Sequence, residues 1–243
     1  MNNQIYGIRA ILEAIDAEQS INKIFLQKGL RGELFQELEA SVRKNGISCS
    51  YVPVEKLNRL TKSNHQGAVA QISPVKFHDF ESLVEQVLEQ KKVPFLLLLD
   101  QISDVRNFGA IIRTAECSGV DALIVPKYGT APITDDTVKT SAGAAFKLPI
   151  AKVDHLKDAI FYLQSSGIKV IAATEKTEDE IYAVDFSQAC AIVMGAEDKG
   201  ISASILSTVD HKAKLPLMGQ IGSLNVSVAC GVFLYEVVRQ RKG

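Results

Sequence analysis

The sequence predicts an α/β protein: a C-terminal parallel sheet covered by helices, preceded by a small N-terminal α/β unit. Three observations carry this. Four short, wholly apolar runs stand at 95–99, 122–125, 170–173 and 191–194, with helical stretches between them. Strands buried on both faces read this way, and a β-α-β-α order requires a parallel sheet with crossover helices. The first third alternates helical and strand-like spacing on a shorter period. Hydrophobic residues make up 47% of 243 and charged residues 23%, which suffices for packed cores.

The elements follow in order. Ile8, Ile11, Leu12 and Ile15 recur at helical spacing, and Ile21 to Leu26 reads as a strand. Leu34, Leu38 and Val42 predict a second helix, ended by Asn45-Gly46. Ile47 to Val52 is strand-like, Val54 to Leu60 a short helix, and Gly67 to Ile72 a closing strand. Residues 1–72 therefore form one domain, 73–93 a connector holding one helix from Phe80 to Gln90, and 94–243 a second domain. The last helix is expected from about Leu224 to Arg239, buried because its first half is small and apolar.

Several function classes fall away. The formal net charge is −1, so no uniform cationic coat awaits nucleic acid, although 1–72 carries a mild excess of Lys and Arg. Within it, Lys23, Lys28, Arg31, Arg43, Lys44, Arg59 and Lys62 are the candidate RNA-facing cations. No apolar run nears the roughly 18–20 residues that span a bilayer, and Met1-Asn2-Asn3-Gln4 does not open a secretory signal. Cys49, Cys117, Cys190 and Cys230 form no CxxC, and the four histidines are scattered. Reduced structural thiols, a cytoplasmic location and no metal are expected.

Polar residues that follow buried strands are the place to look for a ligand site. Three clusters stand out. The first runs from Asp100 to Ala115 and includes Asn107, read as the cap of a helix, and Arg113 inside an otherwise core-like helix. Alone, Arg113 is an ordinary snorkelling arginine. The second, Gly195-Ala196-Glu197-Asp198-Lys199-Gly200, is a glycine-flanked turn holding a carboxylate. It departs from the G-x-G-x-x-G dinucleotide fingerprint, and Glu197 would repel a pyrophosphate, which counts against a nicotinamide oxidoreductase. The third runs from Leu215 to Ala229. Ser223 reads as a helix cap, and capping with small-residue packing accounts for Ser223 and Ser227 but not for Asn225.

Taken together, N-F-G-A-I-I-R-T-A, V-M-G-A-E-D-K-G-I and L-P-L-M-G-Q-I-G-S-L-N-V-S-V-A resemble, in order and spacing, the three motifs of the SpoU (TrmH) branch of the SPOUT RNA methyltransferases. Tyr6-Gly7-Ile8 and His65-Gln66-Gly67 are similar to the N-terminal domain of the members that methylate a guanosine 2′-hydroxyl in 23S ribosomal RNA. One departure is Arg9, where those proteins often have His. The resemblance implies a deep trefoil knot in the C-terminal domain, S-adenosyl-L-methionine as methyl donor, large-subunit rRNA as partner, and a homodimer. It places the cofactor at Thr174, Gly195, Leu215, Met218 and Leu224. It assigns activation of the hydroxyl to Arg113, oriented by Asn107, with Glu197, Ser223 and Asn225 completing the pocket. A ribose hydroxyl is a weak acid and the motifs hold no His or Cys, so something must take or stabilise its proton. Two roles are open to Arg113: a base, against a guanidinium pKa above about 12, or a cation that stabilises the forming alkoxide while the proton leaves to water. The rival substrate is tRNA, disfavoured by the sizeable N-terminal domain. The rival class is a non-catalytic RNA-binding module for ribosome assembly, against which the intact polar residues speak.

Overall fold

A computed structural model describes residues 4–242. Met1, Asn2 and Asn3, which the sequence reads as opening no secretory signal, lie outside the described residues. The chain divides into two compact units. One runs to Lys76 and adds Pro132–Asp135; the other comprises Phe77–Ala131 and the chain from Asp136 onward.

The first unit holds β1 (Gln4–Tyr6), α1 (Ile8–Asp16), β2 (Ile21–Gln27), α2 (Glu33–Lys44), β3 (Cys49–Val52), α3 (Val54–Leu60) and β4 (Ala68–Ile72). Its sheet has the order β1-β4-β2-β3, antiparallel except for β2 with β3. Alternation along β2 splits the core. Ile24 and Leu26 pack with Ile11, Phe35 and Leu38 of α1 and α2, while Phe25 packs with Val52, Leu57 and Val69.

The second unit begins with α4 (Phe80–Gln90), whose start is capped by the Asp79 carboxylate. Leu83, Val84 and Val87 of α4 belong to the core of this unit, so the helix within the expected connector packs on the second sheet. Next come β5 (Phe95–Asp100), α5 (Val105–Cys117), β6 (Ala122–Pro126), α6 (Asp135–Thr140), β7 (Ile150–Val153), α7 (Leu156–Ser165) and β8 (Lys169–Ala173). The chain closes with β9 (Cys190–Gly195), α8 (Ala203–Leu206), β10 (His211–Ala213) and α9 (Val226–Lys242). The sheet is wholly parallel, ordered β10-β8-β9-β5-β6-β7. The four apolar runs are its four inner strands, and every residue of β5 and β9 is buried. The edge strands β7 and β10 went unread because Lys152 and Lys212 interrupt their apolar pattern.

Strand order reverses between β5 and β9, and ligands of open α/β sheets bind at such a reversal, beyond the strand carboxyl ends. There Asp100 pairs with Gly195 across the two strands. Asp100 is buried, and its carboxylate accepts the Ser202 backbone N–H at 2.8 Å, tying the segment after β9 to the end of β5.

Helix α9 departs from expectation. It starts at Val226 and buries one face only: Cys230, Phe233, Leu234 and Val237 face the core, while Val228, Val232 and Tyr235 are exposed. Its far end is fastened by Arg241, whose guanidinium donates to the carbonyls of Phe186, Val93, Pro94 and Gln188 at 2.7–3.1 Å and lies over the Phe95 ring.

Candidate active site

The loop after β5 delivers the first polar group. Asp104, not Asn107, caps α5: its carboxylate accepts the Asn107 N–H at 2.8 Å. The cap therefore sits three residues earlier than the sequence suggested, and Asn107 stands in the first helical turn with its side-chain amide free for other work. Gly109, one turn from the start, lies against α6 and the turn after it. A Cβ there would come within 2.7 Å of the Thr140 side chain and 3.3 Å of the Ser141 nitrogen.

The turn after β9 delivers the second. A Cβ on Gly195 would overlap the backbone of Gly200 and Ile201, so only glycine lets the turn fold back this closely. The Gly200 N–H donates to the Ala196 carbonyl at 2.8 Å, leaving Glu197, Asp198 and Lys199 exposed at the tip.

The third group opens α9. The Asn225 carbonyl accepts from Val228 and Ala229, and its side-chain oxygen accepts the Ser227 N–H at 3.0 Å and the Ser227 hydroxyl at 2.6 Å. Asn225 is thus the helix cap assigned in sequence to Ser223, which lies two residues upstream.

These groups form one chain of hydrogen bonds. Asn107 Nδ2 donates to Glu197 Oε2 at 3.1 Å, and Asn225 Nδ2 donates to Asn107 Oδ1 at 3.0 Å. Both ends of the Asn107 amide are engaged, so its orientation is fixed by residues from the other two clusters, some 90 and 118 positions away.

Two cavities flank the relay. One, of about 410 Å³, lies beyond β8, β9 and β10 and is walled by Leu215, Leu217, Leu224, Val226 and Phe233, together with Thr174 and Gly195. Ser223 and Glu197 also line it. The other, about 360 Å³, is lined by Gln101, Ser103, Asp104 and Asn107, and shares Ala196, Glu197, Asp198 and Val226 with the first.

Two residues fall elsewhere. Met218 is not among the residues that line the cavity; it is 97% exposed. Arg113 is exposed on α5, and the relay atoms of Asn107 bond to Glu197 and Asn225 rather than to it. Six residues along a helix mean about 9 Å of rise and about 240° of rotation, so the two side chains leave α5 on different faces.

Sequence reading missed Asp100 as the anchor of the second turn, although a carboxylate ending a wholly apolar strand was the available signal. Burial pushes the Cys190 thiol up to about 11 and Cys230 up to about 12, so neither is a nucleophile. Among the described residues, no helix is long and apolar enough to cross a membrane.

Comparison with known proteins adds the following. Residues 94–235 match the SpoU rRNA Methylase family, and residues 4–78 match the RNA 2′-O ribose methyltransferase substrate-binding domain. YacO of Bacillus subtilis, named for the TrmH family of tRNA/rRNA methyltransferases, is 31% identical over 99% of this chain and 96% of its own. A Staphylococcus saprophyticus protein named for the same family is 34% identical over 98% of this chain and 95% of its own. Among solved structures, an AdoMet-bound rRNA methyltransferase from Sinorhizobium meliloti shares the fold at a TM-score of 0.62 and 23% identity, covering 97% of this chain and 86% of that one.

Proposed function

The chain belongs to the SpoU rRNA methylase family, and we propose that it transfers a methyl group from S-adenosylmethionine to a ribose 2′-hydroxyl of large-subunit (23S) rRNA, at a guanosine. The observation that carries this reading is the Glu197–Asn107–Asn225 relay, which draws one residue from each motif to the edge of a cavity at the strand-order reversal.

The larger lined cavity suits the donor. Its volume falls within the range of small-molecule sites, and its apolar walls match an adenine. Its charged lining is mixed, Glu175, Glu197 and Asp198 with Lys176, Lys199 and Lys214, which suits a donor that carries both a cationic sulfonium and a carboxylate. When bound, the donor supplies a methyl group on a sulfonium, already activated for in-line transfer. Thr174, Gly195, Leu215 and Leu224 would hold it, with Ser223 at the rim. Asn107 holds Glu197 by one oxygen, which leaves Oε1 to accept a ribose hydroxyl on the side of the second cavity.

Arg113 needs a different geometry from the one expected. Gly231 stands between the exposed Val228 and Tyr235 on α9, and a Cβ there would lie 3.6 Å from the side chain of Thr114, the neighbour of Arg113. The exposed apolar stripe of α9 therefore adjoins the face that carries Arg113. A homodimer formed through this stripe would bury it and offer Arg113 to the site of the partner, as base or as alkoxide-stabilising cation. The first unit would select the RNA, and the protein would work in the cytoplasm.

The test is methyl transfer from labelled S-adenosylmethionine to unmodified large-subunit rRNA and to bulk tRNA, read by nucleoside mass spectrometry. The expected product is 2′-O-methylguanosine in rRNA. Transfer to tRNA alone would move the target. Donor binding without transfer to either would favour a non-catalytic module.

A further inference from the structure

Resting on the reading that the chain methylates RNA, we propose that the RNA is gripped at one end of the first unit's sheet, where Tyr6, Arg9, Lys28, Arg31 and Gln66 meet. The segment held there is looped rather than duplex RNA.

Strand register brings these residues together. Tyr6 pairs with Val69, Leu26 with Ala68 and Gln27 with Val52, so β1, β2 and β3 end where β4 begins. The Gly7 N–H donates to the Ala68 carbonyl at 3.1 Å, and the Gln27 N–H donates to the Gly67 carbonyl at 2.8 Å. The Leu30 side chain presses on the Gly67 backbone, and Gln66 Oε1 lies 3.6 Å from where a Cβ on Gly7 would stand. Three segments distant in sequence thus share one surface.

That surface is cationic and unspent. Arg9, Lys28 and Arg31 are exposed, and among the described residues none of their side chains makes a hydrogen bond or ion pair; Lys28 bonds only through its main chain, its N–H donating to the Val52 carbonyl at 2.9 Å. The other candidate cations differ. Arg43 and Lys44 close the 12-residue α2, about 18 Å along the helix from its start. Lys23 lies over the Phe25 ring at 5.5 Å, a ring that Lys56, not one of the candidates, also approaches at 5.6 Å. Acidic Glu13 and Asp16 lie in the second half of α1, away from the surface. Helix α1 starts here behind Gly7, which offers no side-chain acceptor, and carries no acid in its first turn, so its first backbone amides suit anionic oxygens. Helix α2 starts behind Gly32 but carries Glu33 in its first turn, so there the cations Lys28 and Arg31 bear the contact.

Two features favour a loop over a duplex. Tyr6 is 43% exposed and gives an unpaired base a face to stack on. Gln66 holds φ +48, a conformation few non-glycine residues adopt, and presents an exposed amide able to read a base edge. His65 fixes that conformation: its Nδ1 accepts the Gly67 N–H at 3.0 Å, and its Nε2 donates to Asn58 Oδ1 at 2.9 Å. In a paired A-form helix the base faces are stacked and the Watson–Crick edges are taken, so neither contact can be made with them.

The test uses the full chain and measures binding of an unmodified large-subunit rRNA transcript, and of a fully paired RNA duplex, over a salt series. Replacing both Lys28 and Arg31 by Ala should weaken transcript binding at least tenfold and reduce the log–log salt slope by about 1.4, two contacts at about 0.7 each. R43A with K44A should change neither. Tyr6→Ala should erase the preference for transcript over duplex. An unchanged slope in the Lys28/Arg31 variant, or an equal loss in the Arg43/Lys44 variant, overturns the surface. Equal binding of transcript and duplex by the unaltered chain overturns the looped RNA. If the unaltered chain binds RNA with the expected slope but transfers no methyl group, the proposed reaction falls and the surface stands.

Discussion

The two ends of α9 do opposite things with the same kind of chemistry. At its C-terminal end Arg241 spends its guanidinium on four backbone carbonyls, and Gln240 joins the Val184 carbonyl to the Glu236 carboxylate. At its N-terminal end Ser227 donates to the Asn225 side chain, and Asn225 in turn donates to the side chain of Asn107, beside open cavities. One end is bound to main chain and is structural. The other is bound to side chains from different motifs and stays accessible. A helix clamped at one end can present polar groups at the other without local packing to hold them, and preorganised polar groups are what catalysis requires.

The comparison breaks first at the accessible end. Arg113→Ala should lower methyl transfer by about 10³-fold or more, with donor affinity within about threefold, measured by single-turnover transfer and calorimetry. Gly195→Ala should cost donor affinity at least tenfold and about 2 kcal/mol of stability, because its methyl group has no room against Gly200 and Ile201. Retained affinity would show that the turn yields.

At the clamped end, Arg241→Ala should cost about 2 kcal/mol in urea denaturation, leaving three part-buried carbonyls without their donor. Arg241→Lys should recover less than half, since a lysine cannot fork to several carbonyls. The smallest effect is electrostatic. The Arg239 hydrogen bonds hold the Glu236 carboxyl below the usual carboxylate range, helped by Gln240. A depressed folded-state pKa adds stability above the unfolded value, and that stability is lost as pH falls through the folded value. Glu236→Gln should therefore cost about 1 kcal/mol near neutral pH, a modest figure because Arg239 is exposed, and the gap should close in acid. A pH-independent gap would assign the effect to packing.

What the sequence made legible follows from burial. The inner strands show as unbroken apolar runs, and each site cluster directly follows one or opens the last helix. The edge strands β1, β7 and β10 are short or interrupted by lysine and carry no such signal. Helix starts slipped where two capping residues lay close together: Asp104 stands three positions before Asn107, and Ser223 two before Asn225. The asparagine left without an explanation by capping and small-residue packing is both the cap and a member of the relay. The Arg241 clamp was illegible because its partners are main-chain carbonyls, which leave no trace in residue type. The outward face of Arg113 follows from helix phase, but a role assigned by resemblance alone does not show which way its side chain leaves the helix.

The central claim is that Asn107 joins the three motifs into one reacting site. Asn107→Ala, assayed for single-turnover methyl transfer alongside S-adenosylmethionine affinity, tests it most directly. The account predicts that transfer falls at least 10²-fold while donor affinity stays within about threefold, because the amide orients Glu197 and Asn225 rather than walling the donor cavity. Transfer at the unaltered rate, or a parallel collapse of donor affinity, would contradict it.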